Sequence, residues 1–270
     1  MLELVGVVAG VAVAGLFLAR GVLWGPPLVT ALLFWLILAV TVPFLLRQPP
    51  PPVPGHSAGA GQSAAGLWRA VRQAPPAFLW WIVNRMLFWS AAIAIRTFLL
   101  NYLEDVFGLT PANAQALSSR ILVILGLGVF LLAVPAGALA DRLGRRPILI
   151  AAGLMAAAGT AIAMGWREVT ALYVAGSLIA AGTGIFASAS WSLATNLAPP
   201  EKGALYLALA NGATVIGSIS GRVGGALIDG INQLFDTVVA GYLVVFGLAA
   251  LLFVVSSVVA LKIAEPRQAG

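Results

Sequence analysis

Long apolar runs, each close to the length of a bilayer crossing and separated by short polar breaks, organise this sequence. A helix crossing the ~30 Å hydrocarbon core needs about 20 mostly apolar residues. Runs of roughly that length cover 4–24, 28–46, 78–103, 115–138, 148–165, 171–193, 204–228 and 239–261. The breaks carry helix-ending signals: Gly25-Pro26-Pro27, Thr110-Pro111, Pro147 and Pro199-Pro200. Thr110 is expected to cap a helix whose first residue is proline, where the missing N–H costs nothing. The pattern predicts an all-α fold, a polytopic membrane protein with about eight transmembrane helices.

The first run does not read as a cleaved leader. It has Glu3 in place of a basic start, its apolar stretch is too long, and a second run follows almost at once. Residues 1–46 are therefore expected to form two retained helices. The longest connection, 47–76, opens with Arg47-Gln48 and four prolines and continues in Gly, Ser and Ala, which predicts an extended or flexible linker. Its last part, 67–72, has the makings of a short amphipathic interfacial helix.

Composition agrees with the pattern. Apolar residues make up 61% of the 270, against about 45–50% in soluble domains, and mean hydropathy is +1.01. Only 9% of residues are charged. The net charge of +6 lies scattered between apolar spans, which excludes a nucleic-acid patch. Its distribution instead sets orientation, because cytoplasmic loops collect Lys and Arg. With Met1 cytoplasmic, one side receives Arg47, Arg69, Arg72, Arg142, Arg145, Arg146, Lys202, Lys262 and Arg267, and the other only Arg167. The second side collects Glu104, Asp105, Glu168, Asp229 and Asp236. The expectation is an integral protein of the plasma (inner) membrane with both termini cytoplasmic and the lipid bilayer as its solvent.

Catalytic chemistry finds little support. There is no Cys, and the single histidine, His56, sits in the linker, so no metal site or cofactor is expected. No phosphate-binding G-x-x-x-x-G-K-[ST] loop occurs, which disfavours ATP-driven action. A membrane enzyme would need clustered nucleophile, base or metal ligands, and the chain is not expected to be an enzyme.

Residues 137–146, GALADRLGRR, place an Asp and three Arg between two apolar runs. Such a density belongs at a membrane surface, since each charge in the bilayer core costs several kcal/mol. Gly137 allows close helix approach, Gly144 permits a tight reversal, and Asp141 can pair with Arg or with helix N-termini. Arg142, Arg145 and Arg146 can meet anionic headgroups. The pattern G-x-L-A-D-R-x-G-R-R resembles the signature loop between the second and third helices of a major facilitator superfamily bundle. The resemblance implies a conformational latch made by Gly137, Asp141, Arg142, Gly144, Arg145 and Arg146.

On this resemblance 77–262 is a six-helix bundle, 47–76 the central cytoplasmic linker, and 263–270 a cytoplasmic tail. Residues 1–46 would be the last two helices of an N-terminal bundle, so that four helices of the usual twelve are expected to be missing. A second register makes 77–262 the first bundle, with its partner on the other side.

Ionisable residues inside a span are functional candidates by default. Arg20, Arg85, Arg96, Arg120 and Arg222 lie in or near spans. The run 78–103 is richest, with Asn84, Arg85, Trp89, Arg96 and Asn101; Arg85 and Arg96 are about three turns apart and nearly on one face, which predicts a polar stripe along a cavity. The candidates for a substrate path are Asn84, Arg85, Trp89, Arg96, Arg120 and Asn211. No carboxylate falls mid-span. A coupling acid for H+ or Na+ would belong to absent helices, or the arginines bind an anionic substrate directly. Arg222 lies seven residues before Asp229 on the same helical face, with a water-mediated or cross-helix pair the expected contact, and is expected to act in gating or structure rather than on substrate. Ala213, Gly217, Gly221 and Gly225 recur every four residues, a stripe suited to close helix packing, with dimerisation as the alternative. Gly182-Thr183-Gly184, Ser188, Ser190 and Ser192 give another span a small polar face.

The resemblance implies secondary-active or facilitative transport of a small solute by alternating access. Residues 102–108, YLEDVFG, weakly resemble sugar-cation symporters of the same superfamily, so sugars and anions are both open as solutes. The alternative is a non-transporting membrane subunit or a half-transporter that pairs with a second copy.

Overall fold

The computed structural model describes residues 25–46, 71–197 and 203–264. The expected span 4–24, most of the expected linker, residues 198–202 and the last residues lie outside this set, and with them Arg20, His56, Arg69, Lys202 and Arg267. The chain divides into two units, 1–69 and 70–270. The described part of the first is a single helix, α1 (Gly25–Leu46), which starts at the Gly-Pro-Pro signal and runs past Pro43.

The second unit holds α2 (Pro76–Asp105), α3 (Pro111–Leu143), α4 (Arg145–Gly165), α5 (Val169–Leu197), α6 (Gly203–Arg222), α7 (Gly224–Phe235) and α8 (Ala240–Ala260). Of these, α2, α3, α4, α5 and α8 are long and apolar enough to cross a membrane. No strand occurs among the described residues.

Three local expectations change. The run predicted as one helix over 204–228 is interrupted at Val223, whose N–H bonds the Ser220 carbonyl three residues back at 3.2 Å. Gly224 and Gly225 follow; glycine is a weak helix former, and a Cβ at Gly224 would meet Phe98 of α2 at 2.9 Å. The break falls between Arg222 and Asp229, both exposed, so the shared helical face expected for them does not persist. The run predicted over 115–138 extends to 33 residues, roughly 50 Å at 1.5 Å per residue. Asp141 and Arg142 are thus the last turn of α3, and the connection to α4 shrinks to Gly144 alone. Thr110 does precede Pro111 in an extended conformation, but its hydroxyl makes no capping bond.

Small residues set the helix spacing, as bilayers give helices no hydrophobic reason to associate. α5 is packed on two sides. A Cβ on Gly182 would meet the Ala152 carbonyl of α4 at 2.6 Å, and one on Gly184 would meet Val129 of α3 at 2.8 Å. Gly217 and Gly221 set α6 against α2, facing the carbonyls of Met86 at 2.8 Å and Ser90 at 2.6 Å. α8 packs on α2 and α4, where Ser257 Oγ donates to the Ile150 carbonyl at 3.1 Å. One aromatic core joins Phe78, Trp81, Phe88, Phe186 and Phe253, with Phe88 and Phe186 stacked at 3.7 Å. A second gathers Tyr102, Leu103, Tyr242 and Phe246 at the other end. There Tyr242 Oη donates to Asp105 Oδ2 at 2.5 Å and Tyr102 Oη to the Ala163 carbonyl at 2.8 Å.

Candidate functional site: a buried arginine shared by three helices

Arg85 sits about 14 Å, or nine residues, into α2 and is 2% exposed. A guanidinium so placed needs donors satisfied and its charge offset, because an uncompensated buried charge is worth several kcal/mol against folding. Two other helices supply acceptors. Arg85 Nε donates to Thr214 Oγ1 of α6 at 2.9 Å, and Nη1 donates to Ser190 Oγ of α5 at 3.1 Å. Two indoles flank the group: Arg85 Cζ lies 4.4 Å from the centre of Trp191 and 5.5 Å from that of Trp81. Cation–π contacts are worth about 2 kcal/mol or more once desolvated.

The two tryptophans differ. Trp81 is fully buried and its Nε1–H donates to the Ser190 carbonyl at 3.1 Å. Ser190 thus accepts from Arg85 on its side chain and from Trp81 on its backbone. Trp191 is half-buried and packs against the aromatic core.

The neighbouring Asn84 is fully buried and turned to α8. Its Nδ2 donates to both the carbonyl and Oγ of Ser256 at 2.8 Å, and Ser256 Oγ donates back to the Asn84 carbonyl at 3.1 Å. Asn84 Oδ1 and Trp89 Nε1 are buried without a hydrogen-bond partner among the described residues.

The six substrate-path candidates separate. Asn84 and Arg85 are buried, Trp89 lies one turn above Arg85, and Arg96, Arg120 and Asn211 are exposed. The expected open stripe along α2 does not form. Thr214 and Ser190 cover Arg85, whereas near Arg96 helix α6 has reached its break beside Phe98. Asn211 precedes Thr214 by one turn on α6. Sequence reasoning had not placed Trp81, Trp191 or Thr214 here; the visible signal was the Ser190-Trp191 pair in an otherwise small-residue run.

The surface of α5 sets it apart from its neighbours. Along α5, Val174, Ser177 and Thr195 are exposed and Ala181 and Trp191 partly so, while Ser188 packs beside Gly137 of α3; α8 exposes Val244, Leu248, Leu251 and Val258.

At the charged end, Arg145 opens α4 and joins three elements. Its Nη2 pairs with Asp141 Oδ1 at 3.2 Å and its Nε donates to Ser192 Oγ of α5 at 2.8 Å. With its amide oxygen turned toward the guanidinium, Asn196 accepts from Nη1 and, at 3.0 Å, from Nη2. The Arg145 side chain is 13% exposed, against 63% for Asp141. Gly144 has φ 90° and ψ 153°, which disfavours any side chain. Gly137 faces Ser188, whose Oγ would lie 3.2 Å from an added Cβ. Arg142 is exposed and Arg146 partly so. Gly225 lies beside the Phe98 ring, 3.4 Å from an added Cβ.

Comparison with known proteins bears on this arrangement. Over 139 residues the chain is 33% identical to multidrug resistance protein MdtH of Cronobacter sakazakii, covering 52% of this chain and 31% of that protein. It is 32% identical over 112 residues to the class C tetracycline resistance protein of Escherichia coli, covering 42% of this chain and 28% of that one. The arabinose-proton symporter of Bacillus subtilis matches at 30% over 103 residues, covering 37% and 21%. The chain thus spans about a third or less of these relatives. The crystal structure of peptide transporter POT in complex with sulfate shares the fold at a TM-score of 0.59 and 21% identity, over 73% of this chain and 41% of that one. The sequence profile of the Major Facilitator Superfamily matches residues 112–270. With more than half of its length matched by that profile, this integral membrane chain belongs to the major facilitator superfamily.

Proposed function

We propose that residues 77–262 form one bundle of an alternating-access transporter of small solutes, with 47–76 as linker and 1–46 as helices of the opposing bundle. The observation that carries the site is Arg85, a cation held almost fully out of water by hydroxyls from α5 and α6. Stability alone does not favour such a group, since an apolar side chain of similar size packs at lower cost. In a translocation path the same group places a positive charge between α5 and α6.

The names of the relatives support solute movement: two confer resistance to multiple drugs or tetracycline, and one is a proton symporter of arabinose. Proton coupling is carried over on that basis, with the coupling acid outside the described spans. The Lys/Arg bias supports cytoplasmic termini and a cytoplasmic position, at the plasma membrane, for the junction of α3 and α4 at Gly144. There Arg145, bonded to α3 and α5 together, acts as the latch that holds the end of the bundle closed.

The test is uptake into proteoliposomes containing the protein, with an imposed pH gradient and labelled sugars, organic anions and drugs. A solute is expected to move, and Arg85→Gln is expected to lower its rate at least ~10-fold, equivalent to about 1.4 kcal/mol. Transport unchanged by Arg85→Gln removes Arg85 from the path, and no movement of any solute overturns the reading.

A further inference from the structure

We propose that Arg96 of α2 and Arg222 of α6 form a two-cation site for an oxyanion from the aqueous phase, a phosphate or carboxylate group, at the end of the bundle away from Arg145. Its use as the mouth of a solute path rests on the transport reading above; the site itself rests on how α2 and α6 meet.

These two helices run side by side in one direction. Gly217 faces Met86 and Ser90, Gly221 faces Ser90 and Ala94, and Gly224 faces Phe98. Gly221 therefore stands level with residues 90–94 of α2, which puts Arg222 within about one turn, ~5 Å, of the height of Arg96. A hydrogen bond fixes which side of the pair they share. Arg85 reaches Thr214 of α6 at 2.9 Å, and Arg96 leaves α2 only about 20° round from Arg85. On α6 the Gly217 and Gly221 edge faces α2, Thr214 lies at its margin, and Asn211, Ser218 and Arg222 follow within about 40° of one another on the flank beyond. Ile216, Ile219 and Val223 take the flank turned away. Arg96, Asn211 and Arg222 are exposed and Ser218 partly so.

Both arginines fall inside the apolar runs 78–103 and 204–228, yet neither makes an ion pair or hydrogen bond with another described residue. Asp229, the carboxylate next along the chain from Arg222, lies beyond the break at Val223 and is itself exposed. A cation within an apolar span is costly unless water or an anion meets it. Two at nearly one level repel each other, and a shared anion relieves both. The planar guanidinium fork matches the paired oxygens of carboxylates and phosphates, whereas a neutral sugar gains nothing from the charge and a cation is repelled. Ser218, one turn inward of Arg222, and Asn211, two turns further, continue a polar line into the span.

The chain has no cysteine, so a single thiol can report the local potential. Ser218→Cys is labelled in maltoside micelles, which carry no phosphate, with an anionic sulfonatoethyl and a cationic trimethylammonioethyl methanethiosulfonate. Each rate is divided by that of the same reagent with mercaptoethanol. The anionic reagent is expected to be favoured ~10-fold at low salt, and most of that preference should vanish at about 1 M salt. Adding Arg96→Gln or Arg222→Gln should each cut the preference about 3-fold. Arg96→Lys and Arg222→Lys should keep it, and they serve if the glutamine variants do not fold. Inorganic phosphate should slow labelling in micelles and in phosphatidylcholine nanodiscs alike. Equal or faster cationic labelling, a preference untouched by both glutamine variants, or no slowing by phosphate overturns the site. Protection by the nanodisc lipid without added phosphate assigns the cations to headgroups and overturns it too. Solute uptake without any preference for the anionic reagent overturns the site and leaves the transport reading standing; the preference in a chain that moves no solute does the reverse.

Discussion

Arg145 donates from Nε to Ser192 Oγ at 2.8 Å, so the first residue of α4 is bonded to the last two turns of α5 while also pairing with Asp141 at the end of α3. Three helix ends meet on one guanidinium. Hydrogen bonds to charged groups are worth about 1.5–3 kcal/mol each, without adding in full. Arg145→Ala is expected to destabilise the bundle by about 2 kcal/mol, read by thermal or denaturant unfolding in detergent. Arg145→Lys should recover less than half, because an ammonium lacks the planar fork. A loss under ~0.5 kcal/mol for the alanine variant would count as ordinary surface behaviour and against the latch.

Thr214 tests the anchorage of Arg85. Its hydroxyl accepts from Arg85 Nε at 2.9 Å and donates to the Ala210 carbonyl at 3.2 Å. Thr214→Val preserves shape and withdraws the acceptor, with an expected cost of about 1–3 kcal/mol. In a double-mutant cycle with Arg85→Gln the two changes should couple by about 1 kcal/mol or more. Additive unfolding energies would show that the pair does not work as a unit.

The contact between α2 and α6 depends on residues too small to block it. A Cβ at Gly221 would lie 2.6 Å from the Ser90 carbonyl, whereas one at Gly212 meets nothing within 4 Å. Gly221→Ala is therefore expected to destabilise by about 1–3 kcal/mol through overpacking. Gly212→Ala should be neutral or stabilise by up to ~1 kcal/mol through helix propensity. Comparing unfolding midpoints of the two variants checks this; equal effects would contradict the close approach.

Gly144 makes a separate prediction. At φ 90° an L residue is strained, at a cost of about 1–3 kcal/mol. Gly144→Ala should lower stability by that amount and disturb the pairing of Arg145 with α5. Gly230→Ala, where an added Cβ meets nothing within 4 Å, is the control. Unfolding curves of both variants decide it.

Much of the helix plan was legible in the sequence. The apolar runs 78–103, 148–165 and 239–261 lie within two residues of α2, α4 and α8 at most ends, departing most at the start of α4, Arg145. The charged end of α3 was not legible as helix, since Asp141 and Arg142 read as a loop until packing on α5 carries the helix outward. The break at Val223 was hidden because Gly217, Gly221 and Gly225 read as one stripe; only the approach of Phe98 distinguishes its end. The partners of the polar residues were also hidden. Arg85 and Ser190 are 105 positions apart, and Asn84 and Ser256 are 172 apart, and no local pattern encodes such a meeting.

By itself the sequence determined that this chain crosses a membrane as helices and that a few cations fall within the spans. Hydropathy and backbone hydrogen bonding act locally, and a bilayer leaves them one solution. Tertiary structure alone decided which of those cations is enclosed. Arg85 and Arg96 point almost the same way from α2, and only the neighbours differ: hydroxyls of α5 and α6 cover the first, while the second stays exposed. Burial is a property of what surrounds a side chain, and helices distant in sequence supply those surroundings.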